Sequence, residues 1–198
     1  MTDTTTLSLP GHESCDACAL STTRKHVVPG RGFLSARIVV VGEAPGESED
    51  DRGLPFVGSS GQLLRNVIRG VGVPEERLWF TNTYHCRPPK NSIEKATGSP
   101  CPSIWLAGEL VRLNRNGARV ILATGGTSIR HFRPWSEDPV GVEVQRDTRW
   151  PDPELGPWWV VGAYHPAYIL RCGGEREGNV ALVKLVDSIL RAVAYASN

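Results

Sequence analysis

The stretch Ile38-Val39-Val40-Val41-Gly42-Glu43-Ala44-Pro45-Gly46-Glu47-Ser48-Glu49-Asp50-Asp51-Arg52-Gly53-Leu54-Pro55-Phe56-Val57-Gly58 decides how the chain is read. It opens with a short run of β-branched residues that stops at glycine. Such a run, with Ala36 and Arg37 before it, reads as a strand buried on both faces. The segment after this strand is crowded with glycine, proline and five acids before Ser59-Ser60-Gly61-Gln62-Leu63-Leu64 opens a helix. Backbone and carboxylates of that kind need water or partners, so the segment cannot be buried for its own sake. In an open α/β sheet, ligand sites are built in loops leaving the carboxyl ends of strands. On composition alone, an ordinary strand-to-helix connector competes with that reading.

Working outward, the pattern repeats. A helix from about Ser60 to Val71 places Leu63, Leu64, Val67, Ile68 and Val71 on one face and ends at Gly72 and Pro74. Leu78–Thr81 reads as a second strand, Pro102–Asn114 as a second helix, and Arg119–Thr124 as a third strand. The second helix takes its apolar side from Ile104, Leu106, Leu110, Val111 and Leu113. A short helix runs from Gly125 to Phe132, Trp158–Ala163 is a fourth strand, and a last helix covers about Gly178–Ala194. Leu182, Val183, Val186, Ile189, Leu190 and Val193 are its apolar positions. Strands alternating with helices predict a mostly parallel sheet covered on both faces. Residues 133–157, rich in proline and tryptophan, read as a β-ribbon with irregular flanks around Val140–Val144.

At 198 residues, 40% of them hydrophobic, the chain suits one domain over 1–198. Residues 1–14 read as a flexible lead-in. No apolar run is long enough to span a membrane, and the polar N-terminus has no apolar signal region, so a cytoplasmic protein is expected; a monomer is the working expectation. A net charge of +1 excludes binding polyanions by overall charge and leaves only a local patch for nucleic acid. The most basic segment holds Arg24, Lys25, His26, Arg31 and Arg37, which suits either a solvated loop or a phosphate-contacting one.

Five cysteines are present. Cys15 and Cys18 form a C-x2-C pair, expected on a short helix from Ser14 to Leu20. Cys86 and Cys101 lie further on, with fourteen residues between them, and Cys172 stands apart. Disulfides are disfavoured in a cytosolic chain. Four thiolates with a tight first pair suit zinc or an iron–sulfur cluster. A stray surface pair plus two buried small hydrophobes is the plain alternative.

Three polar loops leave strand ends, beginning at Glu43, Asn82 and His165, and in a parallel sheet they face one crevice. An asparagine matches an amide-like edge with one donor and one acceptor. A phenylalanine such as Phe56 stacks on a base. A histidine donates to an oxygen that gathers charge, and a carboxylate positions water or stabilises a developing cation. Singly, each has an ordinary structural role; together they define a pocket for a planar heterocycle.

The segments GEAPGESEDDRGLPFVG (42–58), TNTYHCRPPKN (81–91) and HPAYILR (165–171) resemble the signature segments of the family 4 uracil-DNA glycosylases, the iron–sulfur branch of that superfamily. The resemblance covers nearly the whole chain. It implies a three-layer α/β/α sandwich with a central four-stranded, mostly parallel sheet. It implies a structural [4Fe–4S] cluster on Cys15, Cys18, Cys86 and Cys101, with zinc as the rival occupant, and hydrolysis of the N-glycosidic bond of deoxyuridine in single- or double-stranded DNA.

The resemblance also implies residue roles. Glu43, with Ala44 and Gly46, lines the uracil and water site, and Glu49 is the downstream acid. Phe56 stacks on uracil, Asn82 reads its amide edge, and His165 donates to its O2. Ile169 or Leu170 is the wedge that props the base out, with Arg171 on phosphate and Arg87 in a DNA-facing loop. Glu47, Asp50 and Asp51 read as solvated or structural. Ser59 departs from the lysine that members often carry. A non-catalytic DNA- or partner-binding module on the same fold, and a hypoxanthine or xanthine glycosylase, are the competing functions.

Overall fold

The computed structural model describes residues 4–96, 98–133, 148–150 and 158–197. Among these residues seven strands form one sheet: β1 (Thr5–Thr6), β2 (Arg31–Gly32), β3 (Ile38–Gly42), β4 (Leu78–Asn82), β5 (Val120–Thr124), β6 (Thr148–Trp150) and β7 (Trp158–Ala163). Their spatial order is β1-β2-β4-β3-β5-β7-β6. The middle four are mutually parallel, while β1, β2 and β6 add antiparallel edges. The expected four-stranded parallel sheet is therefore the centre of a wider mixed one. The helices are α1 (Glu47–Arg52), α2 (Ser59–Gly70), α3 (Ala107–Arg115), α4 (Gly126–Phe132), α5 (Pro166–Arg171) and α6 (Arg176–Ala196).

Period-two alternation along β3 divides the core. Val39 and Val41 join Trp79, Leu106, Leu110, Leu113, Ile129 and Phe132 on the face covered by α3 and α4. Ile38 and Val40 join Phe56, Leu64, Ile68, Phe80, Leu185 and Ile189 on the face covered by α2, α5 and α6. Successive side chains of a strand point to opposite faces, so one all-apolar strand fills both layers. A carboxylate of α3 lies inside this core. Glu109 of α3 is fully buried, and its Oε1 accepts the Gly30 N–H at 2.7 Å. Burial raises its pKa to about 7.

Several expectations need correction. The lead-in is not loose over its described part: Thr5–Thr6 pairs with β2, and Leu7 and His12 are buried. Cys15 and Cys18 sit on irregular backbone, and only the 3-10 turn Ala19–Thr22 succeeds them. The acidic stretch is not all loop, because residues 47–52 form α1, closed by Gly53 at φ 65°. The segment 166–171 is helix α5, started by Pro166 in the first turn. A wide π-type turn, Pro102–Leu106, precedes α3, which leaves Ile104 in solvent. In α6 the buried line is Ala181, Leu185, Ile189 and Ala192, while Val183 and Leu190 face outward. The ribbon expected around Val140–Val144 lies outside the described residues.

Candidate active site and cysteine nest

The chain runs from β3 to its neighbour β4, then crosses to β5 on the other side of β3. That reversal makes a topological switch point between β3 and β5, where the loops at the strand ends part and leave a crevice. A cavity of about 520 Å³ lies there. Glu43, Ala44 and Gly46 line it from the loop after β3, Glu49 from α1, Phe56 from the connection to α2, Asn82 from the end of β4, and His165 and Arg171 from α5 and its cap. The structure thus gathers eight of the eleven expected pocket and DNA residues. Arg87, Ile169 and Leu170 are not among the lining residues.

Residues outside the three expected loops complete the cavity. Gly125 and Gly126, after β5, line it. Thr127, the next residue, donates its hydroxyl to Glu43 Oε2. This bond spans the switch point and aims the carboxylate. Gly-Gly-Thr directly after a buried strand is the signal in the sequence that points to this wall. Tyr164, Tyr168, Ser60, Pro88 and Asn91 also contribute to the walls.

Two glycines permit the close approach of the key side chains. Gly42 pairs in register with Asn82, and a methyl group on Gly42 would come within 2.5 Å of Asn82 Oδ1 and 2.9 Å of Phe56 Cζ. Gly125 has φ 84°, and a methyl there would meet His165 Cβ at 3.0 Å. Phe56 itself has φ 56°, a conformation that costs a non-glycine residue about 1–2 kcal/mol. Its carbonyl accepts from Arg65 Nε at 3.3 Å, and its ring packs on Phe80 at 5.5 Å between centroids. The strain is held in place by these contacts, which keep the residue in the cavity wall.

The two acids differ. Glu49 is buried, with Oε2 accepting from Gly46 N at 3.1 Å and Oε1 from Gly58 N at 2.6 Å. Both ends of the loop are tied to one side chain, which also caps α1. Glu43 has one oxygen on Thr127 and is half-buried against the cavity. His165 accepts the Ala167 N–H on Nδ1 at 3.1 Å. Burial holds its pKa below the ordinary histidine value, partly offset by the nearby Glu43 carboxylate. The ring is therefore neutral, with Nε2 carrying the proton.

Of the expected DNA residues, Arg171 is exposed at the cavity wall and Leu170 is 45% exposed. Ile169 is corrected: at 8% exposed it belongs to the core between α5 and α6, since the helical turn points it inward. Arg87 bridges α1 and the next turn, with NH1 3.5 Å from Glu47 Oε1 and Nε donating to Asn91 Oδ1 at 3.0 Å.

Cys15, Cys18, Cys86 and Cys101 line one small enclosed space with His12, His85, Arg24 and Trp105. Donors aim at the sulfurs. Trp105 Nε1 reaches Cys15 Sγ at 3.3 Å, the His85 N–H reaches Cys101 Sγ at 3.3 Å, and Arg24 NH1 reaches Cys86 Sγ at 3.7 Å. Burial, with the neighbouring cysteines adding to it, pushes the Cys86 thiol to about 11 and the Cys101 thiol to about 12 despite the Arg24 and His85 donors, so a bound cation is what would keep them ionised. N–H donors on sulfur suit thiolate ligands of a cluster, so the residues fit such a group. Among the described residues, no three His, Cys, Asp or Glu side chains converge as ligands of a single ion. His12 stacks on Trp105 and shares a 2.9 Å bond with His85. Cys172 lies elsewhere, beside Gly178.

The family model of the uracil DNA glycosylase superfamily matches residues 29–187. A type-4 uracil-DNA glycosylase of Thermotoga maritima is 36% identical over 175 residues, 88% of this chain and 86% of that protein. Type-4 uracil-DNA glycosylases of Pyrobaculum aerophilum and Archaeoglobus fulgidus are each 47% identical, over 79 and 78 residues. Those matches cover 40% and 39% of this chain, and 40% and 39% of the respective relatives. The chain belongs to the uracil DNA glycosylase superfamily and, within it, to the type-4 family. No helix among the described residues is long and apolar enough to cross a membrane.

Proposed function

We propose that this protein excises uracil from DNA by hydrolysing the N-glycosidic bond of deoxyuridine, leaving an abasic site. One observation carries the reading: in a chain of this family, Glu43, Phe56, Asn82 and His165 line a single cavity at the switch point of the sheet.

The base must leave the stack to enter such a cavity, at least cost when unpaired or mismatched. Phe56 takes one face of the ring. Asn82, buried and held against Gly42, offers a donor and an acceptor to the N3–H and O4 edge, where cytosine presents the opposite pattern. As C1′–N1 breaks, the electron pair moves onto uracil and the sugar gains oxocarbenium character. Neutral His165 directs Nε2–H at the base carbonyl where that charge collects. Glu43 faces the sugar side, where it stabilises the cation and orients the water whose oxygen bonds to C1′. The water's proton passes to the carboxylate or solvent, and the uracil anion is later protonated. Glu49 serves as the clamp of the loop rather than as the base. Leu170 and Arg171 supply the wedge and a phosphate contact.

We assign the four nest cysteines to a [4Fe–4S] cluster, supported by the N–H donors on their sulfurs and by the family. When bound it is structural, since no step requires an electron. It joins residues 15–18 to 86 and 101 and so completes the single domain. Thiol ligands of this kind suit a reducing compartment, which we take to be the cytoplasm.

The test uses purified iron-loaded protein with single-stranded uracil DNA and U:G, U:A, T:G and I:C duplexes, scored for alkali-labile breaks. Cleavage at uracil is expected. Cleavage confined to I:C, or none at all, overturns the reading. Iron content and visible absorbance decide cluster against zinc.

A further inference from the structure

Asp50 belongs to the acidic stretch and reads from sequence as solvated or structural; only 2% of it is exposed. Its Oδ1 accepts two backbone N–H groups from a distant segment, Lys25 at 2.9 Å and His26 at 3.1 Å. Its own carbonyl lies 2.6 Å from His26 Nδ1. That segment also serves the cysteines, since Arg24 NH2 donates to the Cys15 carbonyl at 2.6 Å and NH1 to Cys86 Sγ. On the other side of α1, the preceding residue Glu49 holds Gly46 and Gly58 of the pocket loop. Two consecutive carboxylates thus tie two different segments to one short helix. A helix of six residues has little stability of its own and takes its position from such ties.

We propose that Asp50 is a positioning residue for excision: it fastens residues 24–26, which follow the Cys15–Cys18 pair and contact it through Arg24, to α1, and through Glu49 this tie sets the loop that carries Glu43, Ala44 and Gly46. The exposed Lys25–Asp51 ion pair beside it is solvent-screened and adds little. Oδ1 acts here as an acceptor held in place. An amide oxygen serves equally well, so geometry rather than charge is what the site requires.

The inference rests on the proposed excision only for its kinetic readout. With uracil DNA as substrate, Asp50→Ala is expected to lower kcat about tenfold or more with KM within about twofold. Asp50→Asn is expected to stay within about threefold of the parent protein. Hydrogen exchange at the Gly46 and Gly58 amides should speed up in Asp50→Ala but not in Asp50→Asn, with iron content unchanged in both. His26→Ala, at an exposed side chain where folding is not at stake, should show a smaller change of the same kind. Parent-like kcat and exchange in Asp50→Ala and His26→Ala overturn the proposal, as does an Asp50→Asn variant no better than Asp50→Ala. If the parent protein excises no uracil, the exchange experiment still tests the tie, so the two failures are distinguishable.

Discussion

His165, which lines the cavity, accepts the amide N–H of Ala167 on Nδ1 at 3.1 Å, and this leaves the ring's proton on Nε2. The tautomer is set by the first turn of α5, not by substrate. A second proton would have to go onto Nδ1 and break this bond, and burial opposes it as well.

The acid limb of kcat should therefore fall below the ordinary histidine range. A depressed pKa keeps the ring neutral and active as pH drops past 6.5, and activity is lost only when the folded-state value is reached. His165→Ala should lose about 10²-fold in kcat and lose that limb. A pH profile of single-turnover excision checks both. A limb at or above the usual value would contradict the tautomer assignment.

Gly42→Ala should damage the pocket without unfolding the sheet. A methyl would press on Asn82 Oδ1 and Phe56 Cζ, and both must shift. A tenfold or greater loss in kcat/KM is expected with an intact far-ultraviolet spectrum. Parent-like excision would mean that Asn82 is not held by this contact.

Glu43 and Glu49 should separate kinetically and structurally. Glu43→Gln should lower kcat with little change in thermal stability, since Thr127 can still be bonded. Glu49→Gln weakens the acceptors for Gly46 and Gly58, and should lower Tm as well as activity, by about 1–3 kcal/mol of stability. Parallel melting curves and rate measurements decide, and a Glu49→Gln variant as stable as the parent would refute the clamp.

Cys15, Cys18, Cys86 and Cys101 should each be needed for iron, and Cys172 should not. Replacing any of the four by Ala is expected to abolish bound iron and lower Tm. Cys172→Ala should keep full iron content, measured per polypeptide by elemental analysis.

Glu109→Gln should gain stability relative to the parent as pH rises. The folded-state pKa of Glu109 is raised to about 7 from 4.5, so its contribution is present at low pH and is lost as pH rises through that window. A neutral amide escapes the loss while still accepting from Gly30. The stability difference between variant and parent should grow by up to about 3 kcal/mol between pH 5 and pH 8. Urea unfolding at the two values measures it.

The sequence by itself determined the parallel centre of the sheet. Four short, largely apolar runs alternating with amphipathic segments leave few other packings, because a strand apolar on both sides must be covered on both faces. It also pointed to Glu43, Asn82 and His165, which line one cavity because residues directly after buried parallel strands emerge at one sheet edge. The three signature segments carried that reading further than periodicity could.

Only the tertiary structure decided what the acids of the opening stretch do. Glu43, Glu49 and Asp50 are chemically alike and lie within eight residues of one another. Thr127, the Gly46 and Gly58 amides, and the Lys25 and His26 amides give them three different tasks. Likewise, Ile169 and Leu170 are adjacent, and the helical turn of α5 alone sends one into the core and the other to solvent. Hydrogen-bond partners and facing are set by elements remote in the chain, and a local pattern of residue types does not record them.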